Sequence, residues 1–359
     1  MNKKLISSIS ALVVATTLFA GCAKTDNGAA KGGDTKTIKV GLTTDEGGLN
    51  DKSFNQSADT GIKKAVDEFK VGYKPIEAKS KDDYESNLDA LVADGSDIVF
   101  AIGYQMEQAM TAVADKYPDT KFAIIDTVVD KKNVVSYNFK EQEGSFLMGV
   151  IAGKMTKTNK IGFIGGKDQV LINRFEVGFA AGVESVNPAA AAELKSRGTV
   201  VYAESFGDTT LGKEAAKNLM NKGCDVIYHA AGGVGVGMFQ AIQEAKNSGK
   251  EVWGIGVDMD QAKTLPEYAN IILSSMIKRV DTATYEGTKS VVDDNFKGGT
   301  SVNLGIKEGA IDIAETSSTN TPKDVLDLVE KYKTAIKDGK ITVPSTLEEL
   351  KSFKPVEVK

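Results

Sequence analysis

The sequence predicts an α/β protein made of two lobes, each built on a doubly wound parallel sheet, with a hinge between them. Apolar, β-branched runs alternate with amphipathic helical segments throughout residues 37–359, which is the pattern of repeated β-α-β units. Most of these runs are continuously apolar, as expected of strands that helices cover on both faces. The region is long enough for two lobes of about 150 residues each.

Ten runs fit the strand pattern, and helical periodicity fills the intervals between them. The predicted strands are 37–44, 73–78, 97–103, 121–126, 133–139, 160–165, 199–205, 224–230, 251–257 and 271–277. The clearest helical patterns lie at 53–69, 81–94 and 322–338. Asp51 or Ser53 is the candidate cap of the first. A further helical segment carries the apolar stripe Leu211, Ala215 and Leu219. After the last helix, GKITVPSTLEEL indicates a short extended piece and a turn.

The amino terminus has the layout of a lipoprotein signal peptide. Lys3 and Lys4 precede a short apolar stretch, and two small residues then lead into Cys22. The apolar stretch is too short to span a bilayer comfortably. The pattern resembles a lipobox, which predicts a signal peptide at 1–21 and a lipidated Cys22. A chain with this signal is expected on the extracytoplasmic face of the cell membrane, held by its lipid alone.

Residues 22–36 are predicted to be a disordered tether, because they contain no large apolar side chain beyond the cysteine. The net charge of −5 argues against a nucleic-acid binder, which normally carries a basic surplus. The chain has a single histidine, His229, so histidine-based metal sites are nearly excluded and a Ser-His-Asp triad has one candidate base. We therefore expect neither a metal nor a cofactor.

Polar residues just after strands are the first candidates for a ligand-binding site, because ligands of doubly wound sheets bind beyond the carboxyl ends of the strands. Asp45, Asn50 and Phe54 follow the first predicted strand, and Asp126 closes the fourth. These residues form a candidate cleft wall with one aromatic ring. From the residues alone, a solvated turn with a tucked-in phenylalanine is the favoured interpretation of the first group. A cap on the following turn is an equally reasonable interpretation of the second.

The second half of the chain offers a matching set. Tyr228 and His229 lie near the end of a predicted strand, and a glycine-rich loop containing Gly232 and Gly233 follows. That loop lacks the residues of a Walker or dinucleotide motif, so hydrogen bonds to neutral hydroxyls suit it as well as a phosphate does. Asp258 and Lys278 close adjacent strands, where they form either a clamp for vicinal hydroxyls or an ion pair at the hinge.

Several blocks of this sequence together resemble the basic membrane protein family of lipoproteins, which includes a purine nucleoside receptor. The matching blocks are DKSFNQSA at 51–58, FAIID at 122–126, GFIGG at 162–166, RFEVGFAAGV at 174–183, IYHAAGGVGVGMFQA at 227–241, IGVDMDQ at 255–261 and SMIKRVD at 275–281. The resemblance runs over nearly all of the chain beyond the tether. It implies the fold of class I periplasmic binding proteins and a receptor, not an enzyme, that serves an ABC importer.

The resemblance also implies roles for individual residues. The purine is expected between two rings, Phe54 from one lobe and Tyr228 from the other, where relatives commonly have phenylalanine. Asp45 and Asp126 match the carboxylates that read the edge of the base. An ionised carboxylate only accepts hydrogen bonds, and the N1 edge of guanine or hypoxanthine donates where that of adenine accepts. Guanosine and inosine are therefore the expected ligands.

Asp258 and Lys278 match the pair that holds the ribose hydroxyls, with Asn50, Gly232 and Gly233 as further contacts. The implied partners are a purine nucleoside and an ABC permease, and the protein is expected to be a monomer. Three crossovers between the lobes are expected near 139, 275 and 315. The resulting division is 37–139 plus 276–315 for lobe 1, and 140–275 plus 316–359 for lobe 2.

Two other functions compete with this interpretation. A sugar or autoinducer receptor of the same fold would also use aromatic rings and carboxylates, although the blocks at 51–58 and 255–281 favour the nucleoside receptor. A hydrolase is disfavoured because the chain has no G-x-S-x-G motif. The segment DEGGLND at 45–51 also has too few aspartates for a calcium-dependent nucleoside hydrolase.

Overall fold

The computed structural model describes residues 37–358, which form two α/β lobes, each with its own largely parallel sheet. The strands are β1 (Lys39–Thr44), β2 (Gly72–Glu77), β3 (Ile98–Ile102), β4 (Lys121–Ile125), β5 (Val134–Phe139), β6 (Ile161–Gly165), β7 (Val200–Tyr202), β8 (Val226–Ala230), β9 (Trp253–Asp258), β10 (Ile272–Lys278), β11 (Thr300–Leu304) and β12 (Ile311–Ile313). The helices are α1 (Phe54–Phe69), α2 (Tyr84–Ala93), α3 (Glu107–Lys116), α4 (Glu141–Met155), α5 (Val170–Val186), α6 (Pro188–Lys195), α7 (Thr209–Asn221), α8 (Val234–Asn247), α9 (Gln261–Thr264), α10 (Val280–Val292), α11 (Lys323–Lys337) and α12 (Leu347–Ser352). The predicted fold class is confirmed.

The two sheets have the same layout. Sheet one has the order β2-β1-β3-β4-β5-β11, and sheet two has the order β7-β6-β8-β9-β10-β12. All pairs are parallel except β10 with β12. The ten predicted strands are present, whereas β11 and β12 were missed. The residues of β11 are mostly exposed and β12 has only three residues, so neither shows a continuous apolar run.

Strand pairing moves two of the three expected crossovers. The first lies between β5 of sheet one and β6 of sheet two. The second follows Lys278 rather than residue 275, because β10 keeps its register with β9 through Ile277. The third lies between β11 and β12, because Ile311–Ile313 pairs with β10 in sheet two. Residues 276–278 and 311–313 therefore belong to the second sheet. The predicted boundaries had assigned them to lobe 1.

Two local predictions near helices need correction. The segment that indicated an extended piece and a turn ends in a helix, α12, whose start is capped reciprocally by Thr346 and Glu349. In α7, Ala215 and Leu219 are buried, but Leu211 lies in the first turn of the helix and 42% of it is exposed. The buried face of α7 therefore begins at Gly212 and does not include Leu211.

Helices α4 and α5 pack backbone against backbone in the second lobe. A Cβ on Gly182 would lie 2.0 Å from the carbonyl oxygen of Phe146, and one on Gly149 would lie 2.2 Å from that of Phe179. Only glycine permits so close an approach at these two positions. The close packing places Glu141, at the start of α4, beside Arg174 on α5.

The predicted signal peptide at 1–21, Cys22 and the tether up to residue 36 lie outside the described residues. Within residues 37–358, no helix combines the length and the apolar character needed to cross a bilayer. Over the same range, no cluster of His, Cys, Asp and Glu side chains could hold a metal ion. Cys224 is a buried free thiol, and burial raises its pKa to about 12, so it stays protonated.

Candidate ligand-binding site between the lobes

A cavity lies between the carboxyl ends of the strands of both sheets. It spans about 510 Å³ of space that no protein atom occupies, and part of that space is open to solvent. The lining residues are Asp45, Asp51, Phe54, Gly103, Tyr104, Asp126, Leu171, Ile172, Phe175, Phe206, Ala230, Ala231, Gly232, Val257, Asp258 and Lys278. Both lobes contribute apolar and charged groups, so a ligand held here contacts both of them.

The lobe 1 wall comes from three adjacent strands. Asp45 follows β1, Tyr104 follows β3 and Asp126 follows β4, and these strands are neighbours in sheet one. Asp126 has a φ of +73°, a left-handed conformation that non-glycine residues rarely adopt. This turn bends the chain sharply away from the strand at the residue whose side chain enters the cavity. Buried Asp126 Oδ1 and the Tyr104 hydroxyl have no hydrogen-bond partner within the described chain.

Asp45 is held by donors from its own lobe. Its Oδ1 accepts hydrogen bonds from the backbone N–H of Gly47 at 2.9 Å and from Asn55 Nδ2 at 2.7 Å. Burial raises the pKa of Asp45, while these two hydrogen bonds act to lower it. The other oxygen, Oδ2, lies 3.5 Å from where a Cβ on Gly103 would be. The protein donors therefore bind one oxygen, and the second faces the Gly103 side of the cavity.

Asp51 organises the first turn of α1. Its carboxylate accepts hydrogen bonds from the backbone N–H groups of Ser53, Asn55 and Gln56 at 2.9–3.0 Å. Of the two predicted caps, Asp51 makes these hydrogen bonds, while Ser53 occupies the N-cap position without a side-chain capping bond. Burial raises the pKa of Asp51 to about 7. The capped helix start fixes Phe54, the first residue of α1, in the cavity wall.

Lys278 is a fully buried ammonium shared by carboxylates of different elements. Its Nζ lies 2.7 Å from Asp126 Oδ2 and 3.2 Å from Glu141 Oε1. The same Nζ lies 5.1 Å from the ring centre of Phe54 and 5.6 Å from that of Phe175. Burial alone would lower the pKa of Lys278, but the nearby carboxylates outweigh it and the pKa is raised. Lys278 is therefore a permanent positive charge in the cavity wall.

Asp258 connects the two lobes. It is the last residue of β9, has a φ of +65° and accepts a short hydrogen bond from Ser53 Oγ of lobe 1. Burial raises its pKa to about 6, with Lys278 and Ser53 acting in the opposite direction. Asp258 and Lys278 end adjacent strands, as predicted. Both line the cavity, so a ligand hydroxyl placed between them would have an acceptor and a donor.

Tyr228, predicted as the second ring of the site, does not line the cavity. Its side chain is fully buried in the second lobe, with ring centres 5.7 Å from Phe163 and 4.9 Å from Phe179. Its hydroxyl lies 3.1 Å from Ser145 Oγ. The physical reason is its place inside β8, where helices cover both faces of the sheet. The rings that line the cavity from this lobe are Phe175 and Phe206.

Of the remaining candidate residues, some line the cavity and others do not. Gly232 lines the cavity, whereas Gly233 caps α8 behind it and does not. Asn50 lies on an exposed turn, where it accepts a hydrogen bond from Lys52. His229 is buried away from the cavity with its Nε2 2.8 Å from Gln261 Oε1, and burial lowers its pKa to about 4. Its imidazole is therefore neutral at physiological pH.

The two lobes are closed over the cavity. Lys167 of lobe 2 forms an ion pair with Glu46 of lobe 1, with 2.7 Å between Nζ and Oε1. Gln261 Nε2 donates to the carbonyl oxygen of Lys52 at 3.1 Å across the same cleft. Together with the hydrogen bond from Ser53 to Asp258, these contacts hold the two lobes together on the side of the β1 loop.

Sequence reasoning missed Phe206 although a signal was present. The predicted strand 199–205 ends immediately before Phe206, so the rule that selected Asp45 and Asp126 also selects this ring. Leu171, Ile172 and Phe175 reach the cavity from α5. No strand-end signal marks them, because their position depends on how α5 packs against the sheet.

The comparisons with known proteins identify the family of this two-lobed chain. Residues 38–346 match the family model described as ABC transporter substrate-binding protein, PnrA-like. A Lactococcus lactis protein named "ABC transporter nucleoside-binding protein BmpA" is 38% identical, over 96% of this chain and 99% of its own length. An uncharacterized lipoprotein of Pyrococcus horikoshii is 36% identical, over 87% of this chain and 77% of its own length.

A solved structure adds evidence for the fold. An ABC transporter solute-binding protein from Aeropyrum pernix superposes with a TM-score of 0.77 and 31% identity, covering 88% of this chain and 98% of that one. The family match spans nearly the whole described region, including both walls of the cavity. The two-lobed fold, the cavity between the lobes and these relationships lead to one conclusion: the chain belongs to the PnrA-like family of ABC transporter substrate-binding proteins.

Proposed function

We propose that this protein is a receptor that binds purine nucleosides between its lobes, favours guanosine and inosine, and delivers them to an ABC permease. The observation that carries the proposal is the lining of the cavity, which combines aromatic rings from both lobes with buried carboxylates and one buried ammonium. Rings on both sides suit a flat heteroaromatic base. The paired acceptor and donor at Asp258 and Lys278 suit the vicinal hydroxyls of ribose.

In the proposed complex the base stacks between Phe54 of lobe 1 and Phe206 of lobe 2. Phe206 replaces Tyr228 in this role because it follows a strand end, where ligands of such sheets bind. Phe175 is the other ring that lobe 2 contributes to the lining, and it comes from within α5 and not from the end of a strand. Removing a stacking ring costs about 1–3 kcal/mol per base, so Phe54→Ala and Phe206→Ala should each weaken guanosine binding about tenfold or more.

The proposed base preference follows from Asp45 and Asp126. The free Asp126 Oδ1 and the cavity-facing Asp45 Oδ2 accept hydrogen bonds when ionised. Guanine presents two donors on its N1 edge and hypoxanthine one, while adenine presents a lone pair at N1. A hydrogen bond to a charged group contributes about 1.5–3 kcal/mol, so the proposed order is guanosine, inosine, adenosine.

Calorimetric competition at neutral pH tests the proposal. Guanosine should bind most tightly, uridine weakly, and glucose not at all. The bound nucleoside should be recovered intact after long incubation, since a receptor leaves the glycosidic bond unbroken. Release of free guanine would indicate a hydrolase. Tighter binding of a hexose than of any nucleoside would replace the proposal with a sugar receptor.

We also propose that the receptor is a monomer anchored by a lipid on Cys22 at the extracytoplasmic face of the membrane. The sequence pattern before Cys22 and the lipoprotein among the relatives support this placement. In cells, Cys22→Ser should release the protein from the membrane fraction, because the thiol is the proposed site of acylation. Variant protein that stays with membranes after a high-salt wash would contradict the anchor while leaving the ligand proposal intact.

A further inference from the structure

Glu141 is a fully buried carboxylate that touches Lys278 without lining the cavity. It is the first residue of α4, directly after the first crossover between the lobes, and none of it is exposed. Its Oε1 lies 3.2 Å from Lys278 Nζ, and its Oε2 lies 3.5 Å from Arg174 Nη1. Lys278 itself is the last residue of β10, just before the second crossover. The pair therefore joins two of the segments that connect the lobes.

The surroundings of Glu141 show which groups compensate its buried charge. Neither of its oxygens accepts a hydrogen bond within the described residues, so its two cationic neighbours are what compensates its charge. Burial raises the pKa of Glu141, and Lys278 opposes that rise. An unpaired buried carboxylate is strongly unfavourable, so the site is arranged around the ion pair with Lys278.

Asp126 and Glu141 share the ammonium but differ in their access to a ligand. Asp126 lines the cavity and has one oxygen without a partner, so a bound base can recruit it. Glu141 is outside the lining, so a ligand in the cavity does not contact it directly. When Asp126 accepts a hydrogen bond from the base, Glu141 still forms its ion pair with the Lys278 ammonium.

We propose that Glu141 is a positioning residue that keeps the Lys278 ammonium aimed at the ribose hydroxyls of the bound nucleoside. This inference rests on the proposed function, in which Lys278 and Asp258 hold the ribose. It extends that function by giving different roles to the two carboxylates that contact Lys278. The ligand recruits Asp126, whereas Glu141 stays paired with the ammonium. Glu141 therefore acts on the sugar end of the ligand through Lys278 and leaves recognition of the base unchanged.

The test compares guanosine with guanine in the variant Glu141→Gln. Guanosine affinity should fall about tenfold, the scale of one charged hydrogen bond, while guanine affinity stays at the wild-type value. Arg174→Met is the matched control, since it removes the other neighbour of Glu141 and should leave the ratio of the two affinities unchanged. Glu141→Asp, which keeps the charge, should restore most of the ratio. Thermal unfolding of each variant confirms that it is folded.

A double-mutant cycle with Lys278→Met decides whether the effect passes through Lys278. In that background, Glu141→Gln should change neither affinity further. Equal losses for guanosine and guanine, or an undiminished loss in the Lys278→Met background, would overturn the inference and assign Glu141 to hinge packing. Wild-type protein that binds guanosine no better than guanine would instead overturn the proposed ribose clamp, and the role of Glu141 with it, whatever the variants do.

Discussion

The two walls of the cavity show why the position of a residue along its strand decides whether it lines the cavity. In lobe 1, Asp45, Tyr104 and Asp126 all come after the last residue of a strand, and all three line the cavity. In lobe 2, Tyr228 lies inside β8 and is buried in the core, although it is only four residues before Gly232, which lines the cavity.

The difference has a simple physical cause. Helices cover both faces of each parallel sheet, so a side chain within a strand packs against a helix whichever way it points. Only at the carboxyl end of the strand does the chain leave these layers and expose side chains to the cleft. Asp258 and Lys278 are the last residues of their strands, and both reach the cavity. A shift of two residues back along a strand therefore turns a cavity-lining residue into a core residue.

Tyr228→Ala tests this comparison most severely. Deleting a fully buried aromatic ring leaves a cavity between Phe163 and Phe179 and should lower the free energy of unfolding by about 3–5 kcal/mol. Denaturant unfolding measures this loss. Phe206→Ala is the matched control, because it should weaken guanosine binding with a much smaller loss of stability. A Tyr228→Ala protein of normal stability that fails to bind guanosine would return Tyr228 to the site.

Asp258→Asn tests the strand-end position itself. Asparagine tolerates the positive φ of this residue, so the backbone should be preserved while the charge is lost. Guanosine binding should weaken by about 1.5–3 kcal/mol, and guanine binding should hardly change, because the free base does not reach the clamp. Titration calorimetry with both ligands measures the difference. Equal weakening for both would mean that Asp258 acts through its hydrogen bond with Ser53 on lobe closure.

The pH dependence of stability sharpens the comparison on the lobe 1 side. The pKa of Asp51 is about 7 in the native state against its usual value of 3.8, so the native state binds the proton more tightly than the unfolded state. By linkage, this group lowers stability as pH rises from about 4 to about 7, by up to about 1.4 kcal/mol per pH unit. The variant Asp51→Asn should lose this part of the slope in denaturant unfolding at several pH values. An unchanged slope would show that Asp51 titrates normally.

The smallest expected effect concerns the ion pair across the cleft. Glu46 and Lys167 are partly exposed, and such pairs contribute about 0.2–1 kcal/mol. Glu46→Gln should therefore speed guanosine release up to about fivefold at low ionic strength, with the difference vanishing near 1 M salt because the charges are screened. Stopped-flow release measures it. Glu251→Gln, which removes an exposed pair within lobe 2, is the control and should change nothing.

Much of this protein could be read from its sequence, because the relevant signals are local. Continuous apolar runs predicted ten strands and the fold class, and strand-end positions predicted Asp45, Asp126, Asp258 and Lys278, which the structure brings together around one cavity. Strand β11 was not predicted from the sequence, because an exposed edge strand lacks the continuous apolar run of a covered strand. Phe206 was not predicted as a site residue, although it follows the predicted strand 199–205. In the structure β7 ends at Tyr202, and the loop after it brings the ring to the cavity.

Other features were decided only by tertiary structure. The sequence placed Tyr228 near a strand end, but the register of β8 determined that its ring packs on Phe163 and Phe179. The contribution of α5 to the cavity depends on its close packing with α4, which glycines at distant positions in the sequence permit. Glu141 and Lys278 are separated by more than a hundred residues, and only the return of the chain through the hinge makes them an ion pair. Local patterns determined the elements and their ends, while contacts between remote segments decided which side chains share the site.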